Sequence, residues 1–387
     1  MSYPSNAVNS AVYASSGGFD PQMPIGKEAL TAIFTEDKRL IYQGVQYLKD
    51  GTVLLTLDAG ATASNVEVTI DMDRYSLEKG ENGLWTLALK TENKGYHFVH
   101  FYVDGARVLN PLMQIGYGFS MLINVLEIPD EDFFWLKDVP HGTVTENYYY
   151  SSVTGTYKSC LVYTPPGYMK ETSGSYPVLY LQHGHGENER CWVYQGKCNF
   201  IMDNLLANGL AVPCVMVMNN GMVQEERDGE RRLDPRLIED LLIKDCIPFI
   251  EQTYRVKTDK FNRAMAGLSM GSMQTSVVTM KNPDLFAYAG IFSGFVSSLE
   301  HMFPDDTHMH ALDNAAKFNS DFRVFFRATG MKDLLVMDQF KADSQLFREK
   351  GLPPEEGKAH IEKYYPGSHE WNVWRQCLRD FLQIIFR

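Results

Sequence analysis

The stretch that most constrains this chain is Phe261–Ser276, FNRAMAGLSMGSMQTS, which contains Gly267-Leu268-Ser269-Met270-Gly271. A serine in a G-x-S-x-G pattern sits on a sharp, strained turn from a strand into a helix. Glycines flank it because side chains there would collide with the turn. By composition alone such a pentapeptide arises in roughly one chain in eight of this length, so its surroundings carry the weight. Asn262 to Ala266 reads as a short buried strand ending in small residues, and Ser272 to Met280 reads as a helix. Asn282-Pro283 closes that helix, because a residue before proline is pushed out of the helical region. The expected unit is strand, tight turn, helix, with the Ser269 hydroxyl as a candidate nucleophile.

The chain has 387 residues, enough for two domains, with 44% hydrophobic and 22% charged residues, as in globular proteins. Its formal net charge is −12. That argues against nucleic acid and against an anionic membrane surface as partners, since both need a basic face. A neutral polymer or a small molecule is compatible. No apolar run reaches the length of a membrane span. Residues 1–30 lack the basic start and continuous apolar stretch of a signal peptide and read as a flexible lead-in. A cytoplasmic protein and one whose leader has been removed both fit. The cysteines at 160, 191, 198, 214, 246 and 377 show no framework spacing. Buried free thiols are the default, with a Cys191–Cys198 bridge as the alternative. There is no C-x-x-C pair and no zinc site is expected.

Two regions differ in character. Over 31–130, short alternating runs (Val53–Leu57, Val66–Ile70, Trp85–Leu89, Tyr96–Val103) are separated by turn signals such as Lys49-Asp50-Gly51, Asp58-Ala59-Gly60, Glu81-Asn82-Gly83 and Asp104-Gly105. This spacing indicates an all-β, immunoglobulin-like sandwich. Pro129 to Asp132 reads as a linker. Over 145–387, a hairpin around Tyr148–Tyr150 and Ser159–Tyr163 precedes apolar strands at Pro177–Gln182, Cys214–Met218, Phe286–Phe292 and Val324–Thr329. Helices are expected at Phe200–Asn208, Pro235–Gln252 and from Trp371 onward. Such alternation gives a mostly parallel sheet with helices on both faces.

A serine hydroxyl needs a histidine base, held in one tautomer by a carboxylate. On a parallel sheet with this elbow, the α/β-hydrolase arrangement, the chain order is Ser, acid, His. Asp333 follows the Val324–Thr329 strand, and His369 lies in Tyr364-Tyr365-Pro366-Gly367-Ser368-His369-Glu370-Trp371, before the last helix. Ser269, Asp333 and His369 are therefore the expected catalytic residues. Asp338 is a rival acid, and an aspartate here could instead cap a helix. His301, His308 and His310 are rival bases, in a polar stretch around Pro304-Asp305-Asp306 that reads as solvated. The oxyanion needs two backbone donors. Met270 supplies one, and the glycine-rich loop Gln182-His183-Gly184-His185-Gly186 supplies the other at His185. A metal at His183 and His185 would lack a third ligand. Trp192, Tyr194, Trp371 and Trp374 are aromatics that could stack on a planar acyl group or a sugar.

Taken together, Tyr180–Gly186, Gly267–Gly271 with Gln274-Thr275, Asn282–Phe286, Gly330-Met331-Lys332-Asp333 and Gly367–Trp371 resemble the feruloyl esterases of carbohydrate esterase family 1. Ser272 departs from the glycine usual there. The resemblance implies an α/β-hydrolase fold and removal of hydroxycinnamoyl groups such as ferulate from arabinoxylan, with no metal or organic cofactor. It implies substrate contacts at Trp192, Gln274 and Trp371, and a secreted or periplasmic location. Relatives in that family are acetyl-xylan esterases or acyltransferases, and a glycan-binding protein with a vestigial site is the non-enzymatic alternative. Gly83-Leu84-Trp85, Gly95-Tyr96, Val103-Asp104-Gly105 and Asn110-Pro111 make the first region similar to the early-set sandwich of carbohydrate-binding module family 48. That implies either attachment to a glycan or a wall for the active site.

Overall fold

A computed structural model describes residues 44–91, 93–128, 133–297, 299 and 307–387. The lead-in, the linker at Pro129–Asp132, His301 and Pro304–Asp306 lie outside the described residues. The chain divides into two units, Met1–Asp130 and Glu131–Arg387.

The first unit is a β-sandwich. Its strands are β1 (Val45–Tyr47), β2 (Thr52–Leu57), β3 (Val66–Ile70), β4 (Asp73–Ser76), β5 (Glu78–Lys79), β6 (Trp85–Lys90), β7 (Gly95–Val103), β8 (Ala106–Val108), β9 (Ile115–Gly118) and β10 (Met121–Ile128). One sheet runs β1-β2-β6-β5 and the other β4-β3-β7-β10-β9, with β8 on β7. Alternation makes this arrangement: Val66, Val68 and Ile70 of β3 face in, and Glu67 and Thr69 do not. Val53, Leu55 and Leu57 of one sheet meet Val68, Val99, Phe101 and Leu126 of the other in a single core. Buried Asn110 ties the two sheets, donating from Nδ2 to Thr56 O at 2.8 Å and from its amide to Asn124 Oδ1 at 2.7 Å.

The second unit carries β11 (Thr143–Ser151), β12 (Thr156–Thr164), β13 (Val178–Gln182), β14 (Val215–Asn219), β15 (Gln224–Arg227), β16 (Glu230–Leu233), β17 (Arg263–Leu268), β18 (Tyr288–Phe292), β19 (Val324–Gly330) and β20 (His360–Tyr365). Eight of these form a sheet in the order β11-β12-β14-β13-β17-β18-β19-β20. The β11–β12 and β12–β14 pairs are antiparallel and the rest are parallel. The central strands are continuous apolar runs such as VMVMN and YAGIF, because helices cover both faces. The order reverses around β13, and sites on such sheets form beyond the C-terminal strand ends at the reversal.

Two local features depart from the sequence reading. The Pro235–Gln252 helix is a run of unlike pieces: a π-helical stretch, Leu241–Cys246, lies between Ile238–Asp240 and Ile247–Thr253. Pro248 has no N–H to return to the carbonyl of Lys244, and the helix widens just before it. The second feature is the hairpin β15–β16, which closes on Asp228 and Gly229, at φ 57° and 75°. All six cysteines are buried and free, so the Cys191–Cys198 bridge does not form. No helix among the described residues is long and apolar enough to cross a membrane.

Candidate active site

Strand β17 stops at Leu268 and the helix Met270–Lys281 begins one residue later. Ser269, between them, has φ 50° and ψ −121°, a conformation that residues with a Cβ rarely adopt. Its amide donates to Phe292 O at 2.9 Å, and Ser272 Oγ donates to its carbonyl at 2.6 Å. The flanking glycines are sterically required. A Cβ on Gly267 would lie 2.4 Å from Gly271 O, and one on Gly271 would lie 2.5 Å from His183 O. Ser272 is tolerated because Gly294 faces it: a Cβ at 294 would lie 1.6 Å from Ser272 Oγ. Gly294→Ala is therefore expected to destabilise the protein by about 1–3 kcal/mol through overpacking. Adding Ser272→Gly should recover part of that loss, since the nearest remaining atom, Ser269 O, lies 3.3 Å from the new Cβ. Urea unfolding of the two single variants and the double variant checks this coupling.

Asp333 follows β19, and His369 lies between β20 and the helix Trp371–Leu382. The two loops are pressed together: Lys332 N donates to Gly367 O at 2.8 Å, and a Cβ on Gly330 would lie 2.5 Å from Ser368 O. The result is a line of three side chains. His369 Nε2 stands 3.0 Å from Ser269 Oγ, and His369 Nδ1 stands 2.9 Å from Asp333 Oδ2. Asp333 is buried, and Thr329 Oγ1 donates to the same carboxylate oxygen at 3.2 Å. Burial pushes the Asp333 carboxyl up. Hydrogen bonds and charge from His369, with Ser293 and Thr329 beside it, outweigh that and hold it below its usual value. Asp338 is exposed in the first turn of the helix Met337–Glu349, apart from this line. His310 is exposed and pairs with Asp313 at 3.0 Å. His308 is not solvated as its neighbours suggested. It is buried in the Thr307–Asp313 turn, with Nε2 2.9 Å from Val296 O.

The glycine-rich loop after β13 lies against the nucleophile: a Cβ on Gly184 would be 3.4 Å from Ser269 Cβ. His183 is buried beneath it and staples it. Its Nε2 accepts from Gly221 N at 2.9 Å, which leaves the ring hydrogen on Nδ1 to donate to Gly184 O at 2.8 Å. His185, the next loop residue but one, is exposed. No group of three metal-ligating side chains comes together among the described residues.

Sequence reasoning missed Glu187, a buried acidic residue three positions past Gly184, because its neighbours His185, Asn188, Glu189 and Arg190 make the segment read as polar surface. Its Oε2 accepts from Gly184 N at 2.9 Å and its Oε1 from Trp371 Nε1 at 3.1 Å. It thus ties the glycine loop to the segment bearing His369. Burial raises its pKa from 4.5 to about 8, against those two hydrogen bonds. Because the folded-state value lies above the unfolded one, the stability from keeping this group neutral is complete below pH 4.5 and is lost as pH rises toward 8. The Glu187→Gln variant should lack this slope, which is at most roughly 1.4 kcal/mol per pH unit. Denaturant titrations of both forms across that range check it.

The three expected substrate contacts need correction. Trp192, Gln274 and Trp371 are 0%, 0% and 1% exposed, so none offers a face to a ligand. Trp192 donates from Nε1 to Gln182 O at 2.7 Å and meets Trp371 edge-to-face at 5.1 Å. Gln274 donates from Nε2 to Gly221 O at 2.8 Å and to Pro235 O at 3.3 Å, bracing both ends of the β15–β16 excursion. They build the walls behind the site. Trp374, also buried, stands edge-on to His369 at 5.1 Å, and Tyr194 alone of the expected aromatics is exposed.

The sheet order and the strand–elbow–helix unit define an α/β-hydrolase. The chain belongs to the Esterase family, whose family model matches residues 151–384. It is 34% identical over 324 residues to the endo-1,4-beta-xylanase/feruloyl esterase of Xylanibacter ruminicola, covering 80% of this chain and 41% of that protein. It is 28% identical over 259 residues to endo-1,4-beta-xylanase Y of Acetivibrio thermocellus, covering 61% of this chain and 22% of that one. This chain thus spans less than half the length of these curated relatives. Among solved structures, a family 1 ferulic acid esterase from Anaeromyces mucronatus superposes with a TM-score of 0.55 at 22% identity, over 67% of this chain and 96% of that one. The enterobactin esterase of Shigella flexneri superposes with a TM-score of 0.59 at 14% identity, over 90% of this chain and 97% of that one. These likenesses show a shared fold.

Proposed function

We propose that this protein is a serine carboxylesterase that hydrolyses hydroxycinnamoyl esters, feruloyl esters foremost, on arabinoxylan. The observation that carries this reading is the hydroxyl–imidazole–carboxylate line, with steps of 3.0 and 2.9 Å, at the C-terminal rim of a parallel sheet. His369 takes the Ser269 proton through Nε2 as Oγ attacks the ester carbonyl. Asp333 holds the proton on Nδ1 and stabilises the imidazolium that forms. The Met270 amide, at the start of the elbow helix, and the His185 amide donate to the oxyanion. Gly184 is already committed to Glu187. The imidazolium then protonates the sugar oxygen, the alcohol leaves, and water activated by His369 releases the acid.

The acyl and glycan preferences are supported by the xylanase/feruloyl esterase relative, at 34% identity. A secreted or periplasmic location goes with this reading, since the polymer lies outside the cytoplasm. Purified protein should turn over methyl ferulate with a higher kcat/KM than p-nitrophenyl acetate. The opposite ranking would favour acetyl-xylan esterase activity, and dependence on an alcohol acceptor would favour an acyltransferase. No turnover of any of these esters would sink the proposal.

A further inference from the structure

The hairpin β11–β12 forms one edge of the large sheet and turns an unusual surface outward. Tyr148, Tyr150 and Tyr157 are 65%, 57% and 75% exposed. They share one face. Tyr148 and Tyr150 alternate along β11, about 7 Å apart by the strand rise, and Tyr150 stands opposite Tyr157 in register. Those two rings meet at 5.5 Å, nearly perpendicular. Exposed apolar surface gathered on one face, rimmed by polar groups, marks an interaction site.

This face is continuous with the loop that borders Ser269. Glu146, one step along the same face, pairs with Arg190 at 2.5 Å. Ser159, the register partner of Tyr148, donates to Glu189 Oε1 at 2.7 Å. Glu189 and Arg190 close the segment that begins at Gly184, and the short helix that follows ends on exposed Tyr194. Rings therefore extend from the rim of the site across the hairpin, with one ion pair between them. The rings carry no charge, and the rim supplies two carboxylates, Glu146 and Glu189, and one guanidinium, Arg190. That chemistry suits a neutral, hydroxyl-rich chain, whose C–H faces stack on phenol rings and whose hydroxyls bond to the polar groups beside them. It suits an anionic polymer poorly, since the two carboxylates Glu146 and Glu189 outnumber the guanidinium of Arg190 there.

We propose that Tyr148, Tyr150 and Tyr157, with Arg190 and Tyr194 leading to them, form a track that holds the polysaccharide backbone to one side of the esterified sugar. This rests on the feruloyl-arabinoxylan reading above, which requires a polymer to run past the site. The test uses the full chain with Tyr148→Ala and Tyr157→Ala together. These exposed positions should leave the thermal melt unchanged. The ratio of kcat/KM on feruloylated arabinoxylan to kcat/KM on methyl ferulate should fall by about tenfold, the loss of one or two ring contacts. Tyr→Trp at both positions should restore it. In native gels containing de-esterified arabinoxylan, the wild-type protein should be retarded and the double alanine variant should not. A ratio within twofold of wild type with equal gel mobility overturns the track. So does a shift from dimer to monomer with an unchanged ratio, which assigns the face to self-association. If the wild-type protein leaves methyl ferulate untouched, the feruloyl reading fails by itself, and the gel retardation still decides the track.

Discussion

Ser269→Ala is expected to remove turnover of methyl ferulate almost entirely, with kcat lower by roughly 10⁴- to 10⁶-fold. The size follows from what the hydroxyl does. In the proposed reaction it is the group that bonds to the substrate, and it is the hydroxyl that His369 Nε2 faces at 3.0 Å. What survives is the contribution of the oxyanion donors and binding, a residue of about 10³–10⁴ over water in triads of this kind. The fold should not change. Alanine keeps the Cβ that the φ of 50° already accommodates, and the amide bond to Phe292 O is a backbone contact. Equal melting temperatures, together with fluorophosphonate labelling of the wild-type protein alone, would isolate the chemical role. Retention of more than a hundredth of the activity would mean that a different nucleophile operates, and the assignment of Ser269 would fall.

Asp333→Asn should lower kcat by about 10⁴-fold with little change in KM. The carboxylate is fully buried, is held ionised below its usual range, and accepts from His369 Nδ1 at 2.9 Å. An amide of the same shape can turn its NH₂ group toward Nδ1. The imidazole then carries its proton on Nε2, the nitrogen 3.0 Å from Ser269 Oγ, and can no longer accept the serine proton. Asp338→Asn is the matched control, since that residue is exposed in the first turn of the helix Met337–Glu349 and should leave kcat within twofold. If the two variants behave alike, Asp333 does not orient the base.

The parts of the site that were legible in the sequence share a property: their chemistry and their backbone requirement coincide. Gly267 and Gly271 appear in the sequence because nothing larger fits beneath Ser269. Asp333 and His369 could be placed because the proposed acid and base follow Ser269 in strand-end loops. The aromatics failed for the opposite reason. Trp192 and Trp371 look the same in a sequence whether they line a cleft or fill the space behind it, and here each indole nitrogen is spent on an internal acceptor. Glu187 was invisible because a charged residue near a glycine loop reads as surface, whereas the fold buries it against two donors. The Asp228-Gly229 hairpin was missed even though an Asp-Gly pair, here at positive φ, is a strong two-residue turn signal. Its flanks, QEER and ERRL, are too polar to resemble strands, and strand pairing rather than burial defines them.

The six unbridged thiols set a condition on how this protein can be handled and made. None is linked to another and none reaches solvent, so no oxidation step stands between the newly made chain and the finished molecule. Excess dithiothreitol removes nothing that holds the architecture together, and the protein can be produced in a reducing host or used in an oxygen-free digest without losing a covalent brace.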